Sequence, residues 1–378
     1  MPPLGIELHA QTGSEYCAPA CAQMILSLRG YRNETPDGTW QYDLEFAIVH
    51  APVASVVPLG DPLAVAYIVR KPPASPCPPI IIPQPLNDYA AIRKQTPDEA
   101  CAAVAYALTH SEPSAVLVLA GGHWVVIHGG EGQGTLGDPD FRIDSFWMCN
   151  PDNGFYQGIP GDGPTPTCEN YIEECVCYAD FVNTYFTPAT YYSDCQYAVV
   201  TDANATTQPF EAQPCPKPSE SNSIEDAIEA ILRTPAGAPL EGLIRQRHRR
   251  VKRLDREDES YYLVPFLRDD GCANVLRLDE HGRHLGTALR LPYVNLHQDV
   301  GALKLLLHAF PRFAPGSGGL HPEMTLVWHP SRESTSPYNP FYRIKGSGEY
   351  AYVSLGGRSD THLHELRSGE AFDPSSRQ

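Results

Sequence analysis

Apolar positions recur at helical spacing in two well-marked places. Beyond Pro19 they fall at Ala20, Cys21, Met24 and Leu28, and Gly30 supplies a stop signal. Pro19 fits a first helical turn, where a missing N–H had no intrahelical partner. The second stripe is Ala100, Cys101, Val104, Ala105 and Leu108. It follows Thr96-Pro97-Asp98-Glu99, a capping-box pattern with proline inside it. Residues 169–187 read as a third helix, and Ser223 caps a short fourth, IEDAIEAILR. Between the helices, Ser114–Ala120, His123–His128 and Gln196–Thr201 read as strands, with Gly129–Gly134 as a turn. From Tyr261 onward the pattern is strand-like: YYLVPFLR, CANVLRLD, TLVWHP, FYRIKG and EYAYVSL. Residues 31–50 read as a turn followed by a short mixed segment. Residues 51–86 hold ten prolines, a density that predicts an extended, semi-rigid surface loop. The run RQRHRRVKR, 245–253, reads as a solvated helix face.

Charge divides the chain. Residues 1–205 carry 7 basic against 23 acidic side chains, and 206–378 carry 21 against 22. With the polar, proline-rich stretch that follows residue 203, this predicts three parts: a domain over 1–203, a linker over 204–222 and a β-rich domain over 223–378, substrate-presenting or regulatory in role. The acidic first part argues against a nucleic-acid partner. No run of 18 apolar residues predicts a membrane span. No basic region followed by an apolar core predicts a signal peptide, which favours a cytoplasmic location. Eleven cysteines in 378 residues are too few for a disulfide scaffold, and the odd count leaves at least one outside an internal pair.

The helix pattern places Cys17 at a helix N-terminus, where the macrodipole favours a thiolate. A reactive thiol falls from ~8.5 to about 4, a difference of roughly 6 kcal/mol. A helix end supplies only ~0.3–1 kcal/mol. A nucleophilic Cys17 therefore needs a histidine partner. If 123–128 and 133–138 form a hairpin, His123 lies opposite Asp138, which would fix its tautomer. His128, five residues along the strand, points to the other face. Gln11, six residues before Cys17, has an amide that can reach the same spot. Taken singly, each of these residues has an ordinary role: a buried thiol, a surface amide, a core histidine, a turn aspartate.

Together, Q-x5-C-x-P-A opening a helix, G-G-H-W-V-V-I-H-G, and D-P fifteen residues after the histidine resemble the bacteriocin-processing, double-glycine-leader peptidases and their papain-like relatives. DFVNTYFTP followed by a strand resembles the closing segment of such domains. The resemblance spans about residues 5–203. It implies an α+β fold in which an N-terminal helix bearing the nucleophile packs on an antiparallel sheet. It also implies a cysteine peptidase acting on peptides or proteins without a cofactor: Cys17 as nucleophile, His123 as general base and acid, Asp138 orienting it, and Gln11 in the oxyanion hole. Ala18 stands where the family usually has glycine, no transporter segment follows, and the C-terminal domain has no part in the resemblance.

Other readings stay open. A thiol acyltransferase or amidase would use the same fold, and so would a silent peptide-binding module. Cys21, one turn after Cys17, reads as core. Cys149, Cys168, Cys175, Cys177 and Cys195 fit one or two disulfides or a zinc site.

Overall fold

The structure is a computed structural model. It describes residues 1–12, 16–30, 37–52, 61–72, 88–135, 138, 141–151, 171–189, 197–205, 223–292, 323–331, 334–346, 349–355 and 359–363. The fold mixes helices with extensive, mostly antiparallel sheet, and the chain divides into two compact units, each made of more than one stretch of sequence. Of the described residues, Met1–Pro151 and Glu173–Ala205 belong to the first unit, which thus holds all of β5 (Ile172–Cys177) but its first residue, and Tyr171, Ile172 and 223–363 belong to the second.

The first unit contains α1 (Cys17–Leu28), α2 (Asp37–Val49), α3 (Pro62–Arg70), β1 (Tyr89–Lys94), α4 (Pro97–Thr109), β2 (Ser114–Val118), β3 (His123–Gln133), β4 (Arg142–Asn150), β5 (Ile172–Cys177), α5 (Tyr178–Asp180) and β6 (Tyr197–Asp202). Its strands lie in the order β1-β6-β2-β3-β4-β5. Helix α4 starts as its sequence demands. The Thr96 hydroxyl accepts from the Glu99 N–H at 3.3 Å, and the Glu99 carboxylate accepts from the Thr96 N–H. Its alanine-rich stripe packs with Val116, Val125, Ile127, Phe146 and Phe181 in one buried cluster. Helix α1 packs against β3 and β2.

Several expectations are corrected. Residues 37–49 form α2 rather than a mixed segment. The proline-dense stretch contains α3, because its prolines flank PLAVAYIVR instead of interrupting it. Pro62 takes the first helical position, and the Asp61 carboxylate caps the helix by accepting from the Leu63 N–H at 2.8 Å. The rest of that stretch, 53–60 and 73–87, lies outside the described residues. Residues 172–177, read as helix, form β5. Ile172, Glu174 and Val176 are fully buried and alternate with less buried neighbours, the period of a strand. Only the short turns over 178–185 are helical.

The hairpin is also longer than expected. Strand β3 runs through the glycines to Gln133, and its pairing with β4 extends from Val126↔Cys149 to Gln133↔Arg142 with two register shifts. The glycines serve close backbone approach rather than a turn. A Cβ on Gly129 would stand 2.8 Å from Pro3 Cα, and one on Gly132 would collide with the Arg142 carbonyl.

The second unit contains α6 (Ile224–Leu232), capped by the Ser223 hydroxyl, then β7 (Ile244–Arg245), β8 (Arg249–Arg253), β9 (Ser260–Leu267), β10 (Cys272–Asp279), β11 (His284–Pro292), β12 (Glu323–Trp328), β13 (Phe341–Gly346), β14 (Glu349–Ser354) and β15 (Ser359–Asp360). Its strand order is β11-β10-β9-β8-β12-β13-β14-β15, with β7 on β9. The basic run is therefore strand, not helix. Its cations lie on a sheet and pair with nearby carboxylates, Arg245 with Glu225 and Glu229 among them.

Candidate active site

Cys17 is the first residue of α1 and carries a half-buried thiol that is in no disulfide. Tyr16 at the N-cap does not cap the helix through its side chain, and the first turn has no acidic residue. The positive end of the helix is thus not neutralised by the helix's own side chains. One turn on, Cys21 is fully buried. Burial raises its thiol well above the ordinary range, and the neighbouring Cys17 and Cys149 push the same way. Cys149 is the penultimate residue of β4, so the first turns of α1 lie beside the end of that strand.

His123 opens β3. The chain reaches it through Leu119, Ala120 and Gly121, all with positive φ (52°, 56° and 86°). Two non-glycine residues in that region cost about 1–2 kcal/mol each. The Thr187 hydroxyl holds the turn by accepting from the Ala120 N–H at 2.8 Å. The ring is 3% exposed, and its Nε2 lies 2.9 Å from the Oδ1 of Asn150, itself fully buried at the end of β4. An amide oxygen only accepts, so Nε2 carries the hydrogen in this pair.

This corrects the expected partner. Asp138 lies in the connection between β3 and β4, at the opposite end of the hairpin from His123. Ten residues of strand separate His123 from Gln133, roughly 30 Å at ~3.3 Å per residue. The pairing geometry accounts for Asn150. By the β3–β4 register it stands opposite Val125, one step diagonally from His123 on the same face. The available signal was Asn150-Pro151 closing RIDSFWMCN, a polar residue and a proline at a strand end.

Gln11 is brought to the same place. Its backbone N–H donates to the Pro151 carbonyl at 2.9 Å, next to Asn150. Its Oε1 is buried without a hydrogen-bond partner among the described residues. Such an atom costs ~1–3 kcal/mol when nothing pairs with it. The structure therefore gathers Gln11 and His123 around Asn150-Pro151 and sets Cys17 on the helix packed beside them, while Asp138 stays apart.

His128 does not join this group. It is buried, with Nε2 3.5 Å from Glu173 Oε1, and burial pushes it down to about 4. Of the other cysteines, Cys149 and Cys175 are free thiols, while Cys177 and Cys272 are each disulfide-bonded. Cys168 and Cys195 lie outside the described residues. Among the described residues no group of three or more His, Cys, Asp or Glu could hold a metal ion, and no helix is long and apolar enough to cross a membrane.

Comparison with known proteins adds no relative: no family model, no curated protein and no solved structure matches the chain.

Proposed function

We propose that the first unit is a papain-like cysteine peptidase with Cys17 as nucleophile, His123 as general base and acid, Asn150 as the residue that orients the imidazole, and Gln11 as oxyanion donor. The observation that carries this is the buried His123–Asn150 pair. It fixes one tautomer and assigns the other ring nitrogen, Nδ1, to proton transfer. The place of Cys17 at the first residue of α1 and the bond that ties Gln11 to Pro151 beside Asn150 support it.

In this reading the Cys17 thiolate attacks a peptide carbonyl. The developing oxyanion is held by the Gln11 side chain and the Cys17 N–H, each such donor worth ~2.7–4 kcal/mol. Protonated His123 gives its Nδ1 proton to the leaving amine, and the C–N bond breaks. Nδ1 then takes a proton from water, which attacks the thioester and releases Cys17. Asn150 stays neutral, so the imidazolium is steadied by a dipole rather than a carboxylate. A thiol acyltransferase would differ only in an amine replacing that water.

Compartment enters the same reading. Disulfides persist where surroundings are oxidising, so the bonded Cys177 and Cys272 favour such a compartment over the cytoplasm. The test is digestion of a peptide library by wild type and Cys17→Ala. Cleavage by the wild type alone is expected, and equal cleavage by both would end the proposal. Product masses with and without added amines separate hydrolysis from acyl transfer.

A further inference from the structure

One buried side chain in the first unit holds the segment that carries Gln11, and no step above uses it. Gln41 lies on α2 and is fully buried. Its Oε1 accepts from the Thr12 N–H at 2.9 Å and from the Thr12 hydroxyl at 3.1 Å. Its Nε2 donates to the Ala10 carbonyl at 2.8 Å and to Gln23 Oε1 at 3.1 Å. A primary amide has two acceptor sites and two N–H groups, so all four are in use. The orientation is unambiguous, because a backbone N–H only donates and a carbonyl only accepts.

The pattern is that of a strand partner. The Ala10 carbonyl and the Thr12 N–H point to one edge of an extended segment, and the Gln11 N–H points to the other. On the first edge the Gln41 amide takes the place of a neighbouring peptide group. On the second, Pro151 accepts from the Gln11 N–H at 2.9 Å. Residue 11 is therefore fixed from both sides. The fourth bond matters as well, since Gln23 lies on α1, the helix that begins with Cys17, and is 2% exposed.

We propose that Gln41 is a positioning residue for the oxyanion hole: it clamps residues 10–12 to α1 so that the Gln11 side chain is held in fixed register with Cys17. The proposal rests on Gln11 being the oxyanion donor. It assigns Gln41 no contact with substrate. An oxyanion donor acts in the transition state and not in the ground state, so loss of its positioning falls on kcat rather than KM.

The test uses the full chain. Removing an oxyanion donor outright costs ~10²–10³ in kcat. Gln41→Met, which keeps the volume and loses all four bonds, should lower kcat about 10- to 100-fold and leave KM within about threefold. The rate of Cys17 alkylation by iodoacetamide should stay within about twofold, since thiolate formation does not use the clamp. In a Gln11→Ala background, Gln41→Met should add less than about a twofold further loss. Additive losses would show a general structural role and overturn the proposal.

A second measurement is independent of activity. Hydrogen exchange at the Thr12 amide should quicken at least ~tenfold in Gln41→Met, with exchange in α1 unchanged. Unchanged exchange at Thr12 overturns the clamp even if activity falls. If wild type and Cys17→Ala prove equally inactive, the peptidase reading fails while the exchange result still decides the clamp. Should Gln41→Met not fold, Gln41→Leu, which also loses all four bonds, replaces it in every measurement.

Discussion

Replacing Asn150 by alanine separates the triad read along the chain from the one proposed above. The Asn150 amide is fully buried and 2.9 Å from a ring that is 3% exposed, so water cannot readily take its place. Stranding a buried donor in this way costs ~1–3 kcal/mol. Expressed in the transition state, where His123 must present Nδ1 correctly, that is about a 5- to 150-fold loss of kcat/KM. Asp138→Asn should change kcat/KM by less than about twofold, because roughly 30 Å of strand lies between it and the imidazole. The assay is hydrolysis of a fluorogenic peptide found by library digestion, with thermal midpoints measured in parallel so that unfolding is not mistaken for lost chemistry. Cys17 alkylation at neutral pH should slow in Asn150→Ala and stay unchanged in Asp138→Asn. An inactive Asp138→Asn beside a fully active Asn150→Ala would refute the assignment and restore the aspartate.

Three further outcomes follow from the geometry. Iodoacetamide on the folded protein should modify Cys17 at least ~100-fold faster than Cys21, Cys101 or Cys175 by peptide mass mapping, because burial raises all three of those thiols, Cys175 to about 12; equal rates at Cys17 and Cys21 would count against a poised nucleophile. Stability of the first unit should decline as pH falls from 6.5 toward 4. Burial holds His128 at about 4 against an ordinary 6.5, so the unfolded chain binds more protons across that window. The effect is at most about 3 kcal/mol, with Glu173 at 3.5 Å opposing it, and urea midpoints for His128→Phe should fall less steeply over the same range. Thr96→Ala should cost ~0.5–2 kcal/mol by denaturant titration, because it opens the capping box of α4; no change would mean that the box is ornamental.

Local physics was legible where the chain needs nothing distant to decide it. The stripe of α4 and its Thr96 cap, the start of α1 at Cys17, and the buried strand after Ser114 all follow from spacing and capping chemistry. Misreadings arose where a residue type has two uses. Glycine serves turns and also close backbone approach, so Gly129–Gly134 read as a turn, whereas Pro3 and Arg142 crowd those positions within a strand. Proline breaks helices but also starts them, so Pro62 read as loop. In IEECVC, a buried glutamate hides the strand period. The Glu174 carboxylate is fully buried and accepts from the Tyr185 hydroxyl, a partner that hydropathy does not reveal.

What the chain alone determined was that Cys17 opens a helix and His123 opens a strand, because a helix start and a strand start are short-range events written in a few neighbouring residues. What the tertiary structure decided was that Asn150 meets His123 and that Gln41 meets residues 10–12. Asn150 stands 27 residues from His123, and Gln41 stands 31 residues from Ala10. Each meets its partner only through a pairing register or a helix packing. A shift of one residue in that register would turn Asn150 to the other face of the sheet. Side chains so placed take their roles from the distances that folding sets.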